Sequence, residues 1–231
     1  MKRKEKILFI LFCLYSGLFA VINTFEDSYS VVNNINTPYT SITMEEVDVD
    51  ALIREDGNSR DKGIPMRYAH SFEVDYGIEN AGTWEELDDG GRIWRLGIHS
   101  KGAYGIKVLF DAFHLPTGAK LYIFSKDDDM SIGPYTHEEN NEYGTFGIPL
   151  VKSEHIVIEY YEPHNVSTSP KLNINNVFHA YIDIHNFYGD RGDRSCGDNV
   201  ACESADPWED QINSVIYMEM GSYICSANLI N

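Results

Sequence analysis

Cysteine is scarce and badly placed to hold a fold: of 231 residues four are Cys, and none lies between Cys13 and Cys196. The middle of the chain must be stabilised by apolar burial, with no cross-link to help it. Basic residues are also few, 18 Lys and Arg against 36 Asp and Glu, for a formal charge of −18. A surface of that sign is repelled by phosphate backbones and anionic headgroups, so nucleic acid and membrane are not expected partners. Long apolar runs are missing apart from residues 7–21, and that run is short for a span needing about 20 apolar residues. Catalytic signatures are missing too. The chain has no Ala-x-His-Cys, Gly-Asp-Ser-Gly, His-Glu-x-x-His or Gly-x-Ser-x-Gly, so no catalytic residue is assigned. Nor is a metal or cofactor expected. The five-residue gap from Cys196 to Cys202 exceeds zinc-ligand spacing and has no interleaved His, and the acidic run Asp127, Asp128, Asp129 lacks the Gly and closing Glu of an EF-hand.

What is present begins with Lys2, Arg3, Lys4 and Lys6 ahead of the apolar run, a signal-peptide pattern over residues 1–20 with cleavage near Ala20. Cys13 is then discarded. The same four cations against Glu5 remove three net positive charges, so the remainder carries −21 where the whole carries −18. Cys196, Cys202 and Cys225 remain, an odd number for an oxidising compartment and all within the last thirty-six residues. Either Cys196 bridges Cys202 and leaves Cys225 free, or their partners lie beyond Asn231.

Residues 21–63 are rich in Asn, Asp, Glu, Ser and Thr, with 44–54 as the only candidate helix; this polar leader is expected to be loosely ordered. Seven alternating or β-branched runs follow, at 67–75, 92–98, 105–110, 120–124, 144–148, 155–161 and 171–181. Gly, Pro, Asn and Asp punctuate them, which predicts an all-β sandwich or jelly roll over 64–188. Alternation places Trp94, Leu96 and Ile98 on one face of a strand, Ile106, Val108 and Phe110 on one face of the next, and Leu121 and Ile123 opposite Tyr122 and Phe124. Pro116 and Gly118 set a turn between two strands.

Other groupings carry less. His155 and His179 fall inside strand patterns and read as ordinary sheet residues, while Glu85 and Glu86 with Asp88 and Asp89 read as acidic loop tips. Residues 189–194 form a polar, Gly-containing linker in which Arg191 and Arg194 are candidate processing sites. Trp84, Tyr104, Tyr135 and Tyr143 raise the alternative of a secreted β-sandwich that binds carbohydrate or a surface partner.

The C-terminal stretch sets Ser195-Cys196, then Cys202, then Trp208-x-Asp210-Gln211, then Cys225-Ser-Ala-Asn-Leu-Ile-Asn231. It resembles the start of the mature domain in secreted trypsin-like serine endopeptidases of the lysyl endopeptidase family. Ala227 stands where the family has Gly, and Asn228 where it has a small Ser or Ala. Trp94, Leu115-Pro116-x-Gly118-Ala119, Gly133-Pro134-Tyr135 and Ile158-Glu-Tyr-Tyr-Glu-Pro163 resemble the pro-domain of the same proteases. The resemblance implies a β-sandwich pro-domain followed, over 195–231, by the first strands of a truncated chymotrypsin-like barrel. It makes Cys196, Cys202 and Cys225 half-cystines, with Cys225 bridged to a Cys beside a catalytic His beyond Asn231. It also implies polypeptide substrates cut after Lys or Arg by the full-length protein. With no barrel to enter, 195–231 is expected to be largely disordered in these 231 residues.

Overall fold

A computed structural model describes residues 27–57, 64–126, 130–184 and 203–229. The strands are β1 (Thr40–Thr43), β2 (Met66–Arg67), β3 (Ala69–Gly77), β4 (Thr83–Glu86), β5 (Arg92–His99), β6 (Gly105–His114), β7 (Lys120–Ser125), β8 (Ser131–Tyr135), β9 (Phe146–Gly147), β10 (His155–Glu162), β11 (Lys171–Ala180), β12 (Val215–Met220) and β13 (Tyr223–Asn228). Short helices α1 (Tyr29–Val32) and α2 (Val49–Gly57) lie in the leader, and α3 (Glu209–Ser214) precedes β12.

The fold is all-β, as the alternation predicts. A six-stranded sheet runs β1-β5-β10-β7-β8, with β4 sharing the edge of β5, and packs on a four-stranded sheet ordered β3-β11-β6-β9. Their inner faces form one core. Trp94, Leu96, Ile98, Leu121, Ile123, Ile156, Ile158 and Tyr160 come from the first sheet, and Ile106, Val108, Phe110, Leu172, Ile174 and Val177 from the second. Each such side chain contributes about 1.5–3 kcal/mol of gross transfer energy, which is how a domain without cysteine holds. Trp94 keeps its one polar atom satisfied by donating Nε1–H to the Ala81 carbonyl at 2.8 Å. Between β6 and β7, the Ala119 amide closes the predicted turn on the Pro116 carbonyl at 3.0 Å.

The leader departs from expectation. Residues 28–43 form an ordered strap across the outward face of the six-stranded sheet. β1 adds in parallel to the edge of β5, pairing Thr40 with Leu96 through Thr43 with His99. Tyr29 stacks on Tyr161 at 4.1 Å between ring centroids. The Ser30 amide donates to Glu159 Oε1 at 3.0 Å, and Arg95 bonds Thr37 and, at 2.6 Å, Glu85. Under the strap Arg95 is 3% exposed and Glu159 0%. Burial holds the Glu159 carboxyl above the usual glutamate range, against the Ser30 contacts that lower it. Gly97 lets the strap approach: a Cβ there would stand 2.8 Å from Ser41 Oγ. Polar composition predicted disorder because it shows no apolar face; the strap is held by sheet charges that it buries. The leader helix also sits later than 44–54, at Val49–Gly57.

Candidate functional site

The third sheet is where the two halves of the chain meet. The β12–β13 hairpin pairs antiparallel with β2, Tyr223 opposite Arg67 and Ile224 opposite Met66. The expectation that 195–231 would be largely disordered is therefore corrected for residues 203–229, which form α3 and this hairpin. Order comes from the sandwich itself, which offers a strand edge and an outward-facing socket on the four-stranded sheet.

Strand alternation builds that socket. In β6, Ile106, Val108 and Phe110 point into the core, so Lys107 and Leu109 point out. A small second cluster of Tyr68, Ala69, Leu150, Phe178 and Ala180 lies on this outer side, and Ile224 of the hairpin packs against it. Lys107 Nζ, 8% exposed, lies 3.2 Å from Glu219 Oε2, donates to the Gly221 carbonyl at 3.3 Å and stands over the Phe178 ring at 5.3 Å. The Tyr68 hydroxyl donates to Gly221 at 3.3 Å. The amides of Tyr68 and Ala69 both reach the Ser222 carbonyl, at 2.9 and 3.3 Å. Gly221 has φ 59°, the left-handed conformation a two-residue hairpin turn favours. Burial first, and Glu219 next, push the Tyr68 phenol far above its ordinary range and that of Tyr217 up to about 12. A cleft of 430 Å³ beside the ion pair is lined by Leu109, Pro149, Phe178 and Tyr217 among others.

The far side of β2 is held by the leader. Arg67 bonds Asp56 at 2.8 Å and Glu55 at 2.9 Å, and Tyr181 donates to Asp56 at 2.6 Å. Burial works against the Arg67 charge, but Glu55, Tyr181 and Asp56 outweigh it and raise its pKa. Two residues of strand thus join α2, the sandwich and the hairpin.

This chemistry is that of a grip, not of bond cleavage. A Ser–His contact does occur, Ser100 Oγ to His179 Nδ1 at 2.7 Å, but both residues are 1% exposed and His179 Nε2 has no partner. No substrate reaches it. Of the four acids read as loop tips, Glu85 and Glu86 lie in β4, with Glu85 paired to Arg95, while Asp88 and Asp89 sit in the turn that follows. Among the described residues no group of three or more His, Cys, Asp or Glu could hold a metal, and no helix is long and apolar enough to cross a membrane.

The sequence-predicted sites fare unevenly. Cys225 lies in β13, opposite Met218, and has no disulfide among the described residues; the partner implied for it lies beyond Asn231. Cys196, Cys202, Arg191 and Arg194, like residues 1–20 and Asp127, Asp128 and Asp129, fall outside the described residues. The four aromatics of the binding-module alternative do not converge. Trp84 packs edge-on against Tyr160 and Tyr135 against Phe146. Tyr104 and Tyr143 are exposed but sit at opposite ends of β6, since Tyr104 precedes Gly105 and Gly144 bonds Phe113. At about 3.3 Å per residue those ends are some 25–30 Å apart. Sequence reasoning missed Lys107, Tyr68 and Glu219. An outward Lys in the otherwise apolar run 105–110 was the available signal, but nothing in the sequence joined it to a carboxylate 112 positions on.

Residues 67–181 match the lysyl endopeptidase N-terminal domain family. This stretch is therefore a lysyl endopeptidase-like N-terminal region, the part of a protease family's architecture that the sandwich represents. Its limits fall on Arg67 and Tyr181, whose side chains bond at 3.0 Å, so β1, α2 and the hairpin flank the match.

Proposed function

With the sandwich in that family, we propose that the chain is the N-terminal portion of a secreted serine endopeptidase precursor. Residues 1–20 are its signal peptide, 21–63 a leader, 64–188 a pro-domain, 189–194 a linker cut after Arg191 or Arg194, and 195–231 the start of the catalytic domain. The pro-domain serves as folding aid or latency element, and the full-length protein cleaves polypeptides after Lys or Arg. The observation that carries this reading is the docked hairpin. The family-matched sandwich holds, by strand pairing and a partly buried ion pair, the very segment that resembles the first strands of the protease. A domain that grips its neighbour's first hairpin lowers the entropy of forming the remaining long-range strand pairs.

Expression of the longer reading frame, with and without residues 64–188, tests this. Hydrolysis of Lys- and Arg-ester substrates is expected only where the pro-domain was present during folding, with a new N-terminus at Gly192 or Ser195. The 231-residue chain alone is expected to hydrolyse neither ester and to escape labelling by an active-site serine probe. Labelling at one serine, or a longer protein with no cleavage after basic residues, would overturn the proposal.

A further inference from the structure

The grip on the hairpin uses no covalent connection, and its parts fall on both sides of residues 185–202. Tyr68, Ala69 and Lys107 lie on the sandwich side, and Glu219, Gly221, Ser222 and Ile224 on the other. From this geometry we propose that the hairpin stays bound to the sandwich after the linker is cut, and that the leader helix α2, through Arg67, is the clamp whose loss releases it. The partner is thus specified: an acidic, Gly-turned β-hairpin that adds to β2 and seats one carboxylate on Lys107. The inference rests on the pro-domain reading for the place of the cut, while its physical basis is the seam alone.

Three features make the joint self-sufficient. The first is backbone pairing, since β13 completes the edge of β2 and Ser222 accepts from two successive amides. The second is the Lys107–Glu219 pair, with side chains 8% and 19% exposed; separation gives up the contacts of the ammonium to Glu219 and to the Gly221 carbonyl together, which slows dissociation. The third is the insertion of Ile224 against Tyr68, Phe178 and Ala180. The clamp follows from the shortness of β2. Two residues cannot hold a strand conformation alone, and its Arg67 side chain is fixed by Glu55 and Asp56 of α2, with Tyr181 bracing Asp56. Leader and hairpin therefore bind β2 from two sides, and removing one weakens the other.

The test uses the full chain with a recognition sequence for an unrelated, specific endoprotease placed between residues 186 and 194. After complete cutting, the two pieces are expected to co-elute on gel filtration at neutral pH; separation of the cut wild type would overturn the proposal. Glu219→Gln, on the hairpin and so harmless to the sandwich, is expected to weaken the complex at least about tenfold by competition with a labelled hairpin piece. Asp56→Asn is expected to weaken it about threefold to tenfold, with an unchanged melting curve for the sandwich. Retention equal to wild type in Glu219→Gln would remove the ion pair as anchor, and equal retention in Asp56→Asn would remove the clamp. Failure of the protease reading is separable. A longer protein without peptidase activity sinks that reading and leaves co-elution untouched, whereas separated pieces sink the grip and leave activity untouched.

Discussion

Two segments cover the two outer faces of the sandwich, and they do so by opposite means. The leader strap lies on the six-stranded sheet, adds a parallel strand four residues long, and seals Arg95 and Glu159 almost completely. The C-terminal hairpin lies on the four-stranded sheet and pairs through two residues. It leaves most of its own side chains in solvent, with Val215 54%, Tyr217 58% and Met220 40% exposed. The strap is part of the domain; the hairpin is a guest on it. Both attachments centre on a charge, and what separates them is where the partner of that charge resides. Arg95 is answered within the sheet by Glu85 and closed in by the strap, whereas the carboxylate that answers Lys107 among the described residues is Glu219 of the hairpin.

Exchanging each cation for an apolar side chain would sharpen the contrast most. Arg95→Met leaves Glu85 and Glu159 without their cation, at a cost of about 3–5 kcal/mol to the whole domain, read from the guanidinium unfolding midpoint. Lys107→Met is expected to cost the sandwich little and to free the hairpin, seen as faster amide exchange over residues 215–228. Equal losses of global stability in the two variants would make the hairpin as integral as the strap. Next in size is Gly97→Ala, whose Cβ meets Ser41; overpacking is expected to cost about 1–3 kcal/mol and to expose the strap to chymotrypsin at Tyr29 and Tyr39. Ser41→Gly in the same chain is expected to restore part of that loss, and no recovery would place the strain elsewhere. Gly221→Ala, at φ 59°, is expected to cost about 1–2 kcal/mol in the hairpin alone. A drop in sandwich stability would contradict the guest description.

The smallest effect is a difference in pH response between the two sheets. Burial lowers the pKa of His179 in β11, so the unfolded chain takes up a proton more readily. Its contribution is present above about pH 6.5 and is lost as pH falls through the folded value. Burial raises that of Glu159, so the folded chain holds the proton longer. Its contribution is present below about pH 4.3 and is lost as pH rises through its folded value. Melting temperatures between pH 4 and 8 are expected to lose the acid-side slope in His179→Gln and the alkaline-side slope in Glu159→Gln. Unchanged profiles in both would show that neither group reports on its sheet.

The sandwich was legible in the sequence where side chains alternate against a core. β5, β6, β7, β10 and β11 begin at the predicted residues, and Trp94, Val108 and Ile123 point inward as expected. The strands β1 and β4 were not legible. Thr-Ser-Ile-Thr and Thr-Trp-Glu-Glu bury no apolar stripe, and only the free edge of β5 makes them strands. β8 was passed over because Gly133 and Pro134 interrupt it. The strap and the hairpin seat depend on pairs such as Ser30 with Glu159 and Lys107 with Glu219, 129 and 112 positions apart. Periodicity carries no information at that range. Cys225 could be placed on a strand from its neighbours, but what that strand lies against could not.

Gly97 carries a further consequence, for how such chains can diverge. The leader runs beside β5 so closely that a single methyl group at position 97 collides with Ser41 and presses on Tyr39. Two stretches more than fifty positions apart are thereby bound to a shared history. A descendant that acquires a side chain on that strand position must trim residue 41 or shift its leader, and one that loses its leader is released from keeping the glycine. Glycine at this position is therefore expected, readable from sequence alone, in relatives that still wear the strap.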